Sequence, residues 1–197
     1  MRENTLLTEA MKIDPLLCCG RDFMTRDRVI EPGTISASFR AKEHLQRRYA
    51  WAIPNEEALT AIAQRSPIVE VGAGTGYWAS LLSHRGADVI AYDIAPGKNN
   101  WCDGIYHPLL VGGPDCATHH PDRALFLCWP PYQDEMAEKA LNVYTGNTLI
   151  YIGEYQGGCC ATDEFFDCIE HDWSEIEEIQ LPQWWGLHDA CWIYQRK

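Results

Sequence analysis

The chain has 197 residues, enough for one domain with a full core, and 46% of them are apolar against 22% charged, which excludes a disordered or fibrous protein. A formal charge of −12 speaks against life on phosphate backbones, although Arg40, Lys42, Arg47 and Arg48 lie close together. Such a surface suits a neutral or cationic small partner, or serves solubility alone.

Taken in order, residues 1–66 read as a helical segment without independent status, placed before a core at 67–197. A short helix is expected over 4–11, with breakers at Asp14-Pro15 and Glu31-Pro32-Gly33. Residues 41–49 read as a helix with Leu45 and Tyr49 on one face. Pro54-Asn55-Glu56-Glu57 opens another, with proline and acids in the first turn, and carries Leu59, Ile62 and Ala63 inward.

The organising stretch follows. Ile68, Val69 and Val71 make a short apolar run bounded by Pro67 and Gly72, as a buried parallel strand does. Gly72, Gly74 and Gly76 punctuate a turn, helix-spaced apolar residues run from Tyr77 towards Gly86, and a second apolar run ends on Asp93. Glycines let a ligand approach the main chain, and a helix start with unpaired N–H groups favours an anionic group. The dinucleotide fingerprint G-x-G-x-x-G wants a small residue where Tyr77 stands. The chain reads instead Glu70-Val71-Gly72-Ala73-Gly74-Thr75-Gly76, an E-x-G-x-G-x-G. At these residues it resembles the class I S-adenosylmethionine-dependent methyltransferases.

That resemblance implies a Rossmann-like α/β fold and S-adenosylmethionine as cofactor. It implies that Gly72, Ala73, Gly74 and Gly76 pass under the methionine and ribose parts and that Glu70 positions the amino-acid end. Asp93 would bind the ribose, with Ile94 and Cys128 also beside the cofactor. The N-terminal segment would form a lid, with Tyr49 and Trp51 as substrate-facing aromatics or as ordinary core residues. By position alone, Asp115 falls near the adenine amino group; an N-cap for a helix starting near Cys116 explains it equally well.

After Asp93 the turn-rich APGKNNWCDG predicts an abbreviated crossover, and 106–111 a third strand. His119-His120 sits in the next connector. Ala124 to Cys128 reads as a buried strand broken sharply by Trp129-Pro130-Pro131-Tyr132. This loop resembles the [DN]-P-P-[YFW] motif of amino-group methyltransferases, with Trp129 in place of the acid or amide. The side-chain acceptor for an NH₂ group is therefore missing, while the Pro130 carbonyl and the Tyr132 ring could keep their roles. An aromatic wall of Trp129 and Tyr132 suits a cationic or aromatic small molecule.

An amphipathic helix over 134–144, a fifth strand over 148–152 ending at Gly153-Glu154, and a helix over 162–171 come next. Segments 174–181 and 190–194 read as a terminal antiparallel β-hairpin. Glu154 is a base, a cation-binding carboxylate or a solvated strand-end acid; Tyr132, His119 and His120 are the other groups considered as base. Nine cysteines without a C-x-x-C pair read as reduced thiols rather than a zinc site, and no apolar run approaches the ~20 residues that cross a bilayer. The expectation is a cytoplasmic methyltransferase without metal, membrane or nucleic-acid partner, acting on a small aromatic or amine-containing molecule. The alternatives are a non-catalytic S-adenosylmethionine-binding protein of the same fold, an amino-methyltransferase acting on nucleic acid or protein, and, from the βαβ unit alone, an oxidoreductase.

Overall fold

A computed structural model describes residues 3–13, 32–184 and 186–197, side chains of 32–39 excepted. The strands are Ile68–Val71 (β1), Val89–Asp93 (β2), Leu110–Val111 (β3), Ala124–Cys128 (β4), Thr148–Gly153 (β5), Trp173–Gln180 (β6) and Ala190–Arg196 (β7). They form one sheet in the order β3-β2-β1-β4-β5-β7-β6, parallel through β5, with β7 antiparallel to β5 and β6. The Rossmann-like sheet with a terminal antiparallel hairpin is thus present. Because β1 has β2 on one side and β4 on the other, chain direction across the sheet reverses there, and the crevice opens above the carboxyl ends of these strands.

Helices Thr5–Ile13 (α1), Pro32–Arg48 (α2), Glu56–Ala63 (α3), Tyr77–Ser83 (α4), Met136–Val143 (α5) and Asp163–Asp172 (α6) flank the sheet. One core layer joins α1, α3 and α4 to the sheet face bearing Phe126, Ile150 and Ile193; the other packs α5 and α6 on the face bearing Leu125, Leu127 and Tyr151. Asn55 caps α3 by accepting from the Ala58 N–H, and Thr162 caps α6 by accepting from the Phe165 N–H.

Pro32 and Gly33, expected to break a helix, instead begin one, because proline at the first helical position gives up only an N–H that would have no intrahelical partner. The Asp14-Pro15 breaker lies outside the described residues. The third strand is two residues long rather than six. Tyr106 turns away from the sheet: its N–H donates to the Thr75 carbonyl at 2.9 Å and its ring stacks on Tyr49 at 5.5 Å. Between β2 and β3 the chain is helix-free and is held to α2, the Asp103 N–H donating to the Arg47 carbonyl at 2.7 Å.

The N-terminal segment is sewn to the core through Tyr77, the residue that spoils the dinucleotide fingerprint. Its hydroxyl accepts from the Leu6 N–H at 3.0 Å, and Leu6 and Ala10 are fully buried. Burying a leucine contributes about 2 kcal/mol, so α1 is held by packing as well as by this bond. Among the described residues no helix is long and apolar enough to cross a membrane.

Candidate active site

A cavity of about 600 Å³ lies over the carboxyl ends of β1, β2 and β4 and is roofed by the segment that leaves α2. One half is built by the glycine loop. Gly72, Gly74 and Gly76 have φ of 76°, 57° and 69°, and a Cβ on Gly76 would stand 3.0 Å from both His107 Cβ and Leu109 Cδ2. Only glycine fits there without displacing the crossover. Asp93 Oδ2 accepts from the Gly74 N–H and Oδ1 from the Ala95 N–H, both at 2.8 Å. The carboxylate thereby shapes the loop and keeps further lone pairs for a hydroxyl-bearing ligand.

Glu70 is buried, its Oε2 has no partner among the described residues, and burial first, then the charge of Asp93, pushes its carboxyl up to about 8. Gln46 Nε2 from α2 and Trp78 Nε1 from α4 are likewise buried without partners, and all three side chains line the cavity. One acceptor and two donors left open in one cavity fit a zwitterionic amino-acid group. The residues present therefore fit S-adenosylmethionine.

The other half is aromatic. Trp129 sits at the end of β4 with φ of 52°, and its N–H donates to the Ile152 carbonyl at 2.8 Å. Its ring lies 5.0 Å from Trp51, tilted by 32°, and Trp51 meets Trp101 edge-on at 5.8 Å. Tyr132 is exposed at the mouth. The indole Nε1–H of Trp129 donates to Asp189 Oδ1 at 2.9 Å. Asp189 is fully buried, and burial pushes its carboxyl up to about 8 against the opposing pull of the Trp129 hydrogen bond. The loop after β4 is stitched to the loop after β5: the Ala161 N–H donates to the Pro130 carbonyl at 3.2 Å, and the Gln133 N–H to the Ala161 carbonyl at 2.9 Å.

Glu70, Gly72, Ala73, Gly74, Asp93, Ile94, Cys128, Tyr49, Trp51, Trp129 and Tyr132 come together around this one cavity. Gly76 lies under the loop and acts through backbone shape. Pro130 is buried outside the lining, with its carbonyl taken by Ala161. Glu154 also stands outside: Oε2 accepts from the Cys159 N–H at 2.9 Å and Oε1 from the His188 N–H at 3.0 Å, so it joins two loops instead of facing an acceptor. Asp115 is exposed in the first turn of a 3-10 helix, Pro114–His119, whose N-cap is Gly113; Gly112, Gly113 and Pro114 reach the cavity and Asp115 does not. His119 is exposed, and His120 Nε2 pairs with the Tyr92 hydroxyl at 3.1 Å, both away from the cavity. Gln46, Trp101, Cys102 and Asp189 sit in stretches whose local pattern carries no sign of a ligand; Trp78 was within reach of a sequence reading, because it stands in the first turn of the helix after the glycine loop.

A family model described as a methyltransferase domain matches residues 41–189, well over half of the chain, and the chain belongs to that family. S-adenosylmethionine is its cofactor. No curated protein matches the sequence. Among solved structures, the chain is similar to a candidate SAM-dependent methyltransferase from Streptococcus mutans (11% identity, 73% of this chain and 49% of that one, TM-score 0.48). It thus spans about half the length of that protein. It is also similar to a TehB-like SAM-dependent methyltransferase from Corynebacterium glutamicum (15% identity, 85% and 100% covered, TM-score 0.46). A third is the 1,6-didemethyltoxoflavin-N1-methyltransferase of Burkholderia thailandensis, with 14% identity, 87% and 93% covered and a TM-score of 0.45.

Proposed function

We propose that the domain transfers a methyl group to a small aromatic or amine-bearing molecule held against Trp129, Trp51 and Tyr132. The observation that carries this reading is the aromatic half of the cavity, in which the loop after β4 offers the rings of Trp129 and Tyr132 beside the Asp134 carboxylate, whose Oδ1 accepts from the Met136 N–H. When bound, the cofactor supplies a methyl group on a sulfonium, so the chain's work is positioning and exclusion of water. The glycine loop and Asp93 hold the cofactor end; the tryptophans shield the opposite side. Glu154, committed to two backbone N–H groups, leaves the loop after β5 rigid and supplies no base.

A nucleic-acid acceptor is disfavoured by the charge of −12. Seven described cysteines are free thiols, which supports a reducing, cytoplasmic setting. The test is calorimetric titration with S-adenosylmethionine and S-adenosylhomocysteine, followed by a screen of small heteroaromatic amines for methylated product by mass spectrometry. Saturable cofactor binding with a methylated amine supports the reading. Binding with turnover only on RNA or DNA replaces the substrate class, and binding without turnover on any acceptor favours a cofactor-binding protein that does no chemistry.

A further inference from the structure

The loop resembling the amino-methyltransferase motif has lost both of its nitrogen-holding acceptors. Trp129 stands where a carboxylate or amide would be, and the Pro130 carbonyl accepts from the Ala161 N–H at 3.2 Å. What it has gained is a tryptophan held in a left-handed backbone conformation, φ 52°, which a bulky residue keeps only when its surroundings dictate it. The Trp129 N–H to the Ile152 carbonyl fixes the main chain, and the indole bond to Asp189 at 2.9 Å fixes the ring.

Asp189 is an expensive way to hold a ring. It is fully buried at the start of β7, its Oδ2 has no partner among the described residues, and its own carbonyl accepts from Gln183 Nε2 at 3.0 Å. A carboxyl in that position costs stability that an apolar neighbour would not. The return is one fixed orientation: the indole plane is set against Trp51, 5.0 Å away, at the cavity wall.

Resting on the methyltransferase reading above, we propose that Asp189 is a positioning residue that locks Trp129 as the stacking face for a flat N-heteroaromatic acceptor, methylated at a neutral ring nitrogen. The ring-nitrogen lone pair forms the new N–CH₃ bond as the S–CH₃ bond breaks. The bonding pair stays on sulfur, which becomes a neutral thioether, and the positive charge passes to the acceptor ring. No proton leaves, so no base is needed: Glu154, His119 and His120 lie outside the cavity, and Tyr132 and Asp134, which line it, have no proton to take. An indole face stabilises the charge that the ring acquires.

The test uses S-adenosylhomocysteine-saturated protein and two probes: 1-methylquinolinium, a flat cation resembling such a product, and tetramethylammonium, a cation without a ring. Calorimetry should show the flat cation bound at least about tenfold more tightly than tetramethylammonium. Asp189→Leu should weaken it about tenfold with unchanged S-adenosylhomocysteine affinity, and Asp189→Asn, which can still accept from the indole, should stay within about threefold of the parent chain. The Trp129 indole proton, followed by nuclear magnetic resonance, should exchange slowly in the parent and in Asp189→Asn. Should Asp189→Leu not fold, Trp129→Phe removes the indole N–H and should show the same tenfold loss. Equal binding of both probes, full affinity in Asp189→Leu and Trp129→Phe, or an Asp189→Asn as weak as Asp189→Leu would each overturn the inference. A parent chain that binds S-adenosylhomocysteine but neither probe overturns it while sparing the cofactor site; one that does not bind S-adenosylhomocysteine overturns both readings.

Discussion

The two halves of the cavity treat their polar groups in opposite ways. On the β1–β2 side, Glu70 Oε2, Gln46 Nε2 and Trp78 Nε1 are buried and open. On the β4–β5 side, the Pro130 carbonyl and both Glu154 oxygens are already bonded within the protein, and rings line the space with Asp134 and Lys139. A buried polar group without a partner costs about 1–3 kcal/mol, so the first half carries a cost that a complementary ligand relieves. In the second half the open buried atom, Asp189 Oδ2, lies outside the cavity lining. Among the described residues, the open buried polar side-chain atoms that line the cavity are thus gathered at its β1–β2 end.

The strongest test of this contrast is Asp93→Ala. It removes the acceptor that holds the Gly74 and Ala95 N–H groups, and S-adenosylhomocysteine affinity should fall about 100-fold, near 2.7 kcal/mol, by calorimetry. Retained affinity would break the division into halves. Next, Glu154→Ala strands the Cys159 and His188 N–H groups and should cost about 2 kcal/mol in chemical denaturation, with cofactor affinity little changed.

Glu70 sharpens the comparison through pH. Its folded carboxyl is raised to about 8 from an ordinary 4.5, so between these values the folded state binds more protons than the unfolded one. Its contribution to stability therefore falls as pH rises through that window. Glu70→Gln should flatten that part of the stability profile. A cationic amino group placed beside Glu70 favours the ionised form, so cofactor binding should release protons and tighten as pH rises towards 8. Calorimetry in buffers of different ionisation heat reads this release, and Glu70→Gln should abolish it. The smallest effect belongs to Asp115→Ala: exposed and outside the lining, it should change cofactor affinity by less than about twofold. A tenfold loss would restore the adenine contact expected from its position.

The first half was legible because it is contiguous. From Ile68 to Asp93, strand, glycine turn, helix and acid follow one another, and short-range geometry alone places them. Tyr106 was misread as strand because its backbone and ring are claimed by Thr75, Tyr49 and Tyr77, partners far away in sequence. Glu154 follows the end of β5, where the crevice is expected, but does not line it. Only the path of the loops bearing Cys159 and His188 decides that its oxygens are consumed. Asp189 lies 60 residues from the indole that it holds. An acid before an apolar strand reads locally as a turn residue, and nothing in its neighbours points to Trp129. Partners brought together by the fold, rather than by the chain, were invisible to a local reading.

Cys102, Cys128 and Cys159 line the same cavity. Burial is the leading cause that raises all three thiols above their ordinary range; the charge of Asp93 adds to it at Cys102, that of Glu70 at Cys128 and that of Glu154 at Cys159. The reactive form of cysteine is the thiolate. A chamber built to hold an alkylating agent is therefore walled by sulfur kept protonated, and the acidity that makes the site welcoming to a cation also makes its own thiols slow to be alkylated. Iodoacetamide at neutral pH should label these three more slowly than a free cysteine in a short peptide.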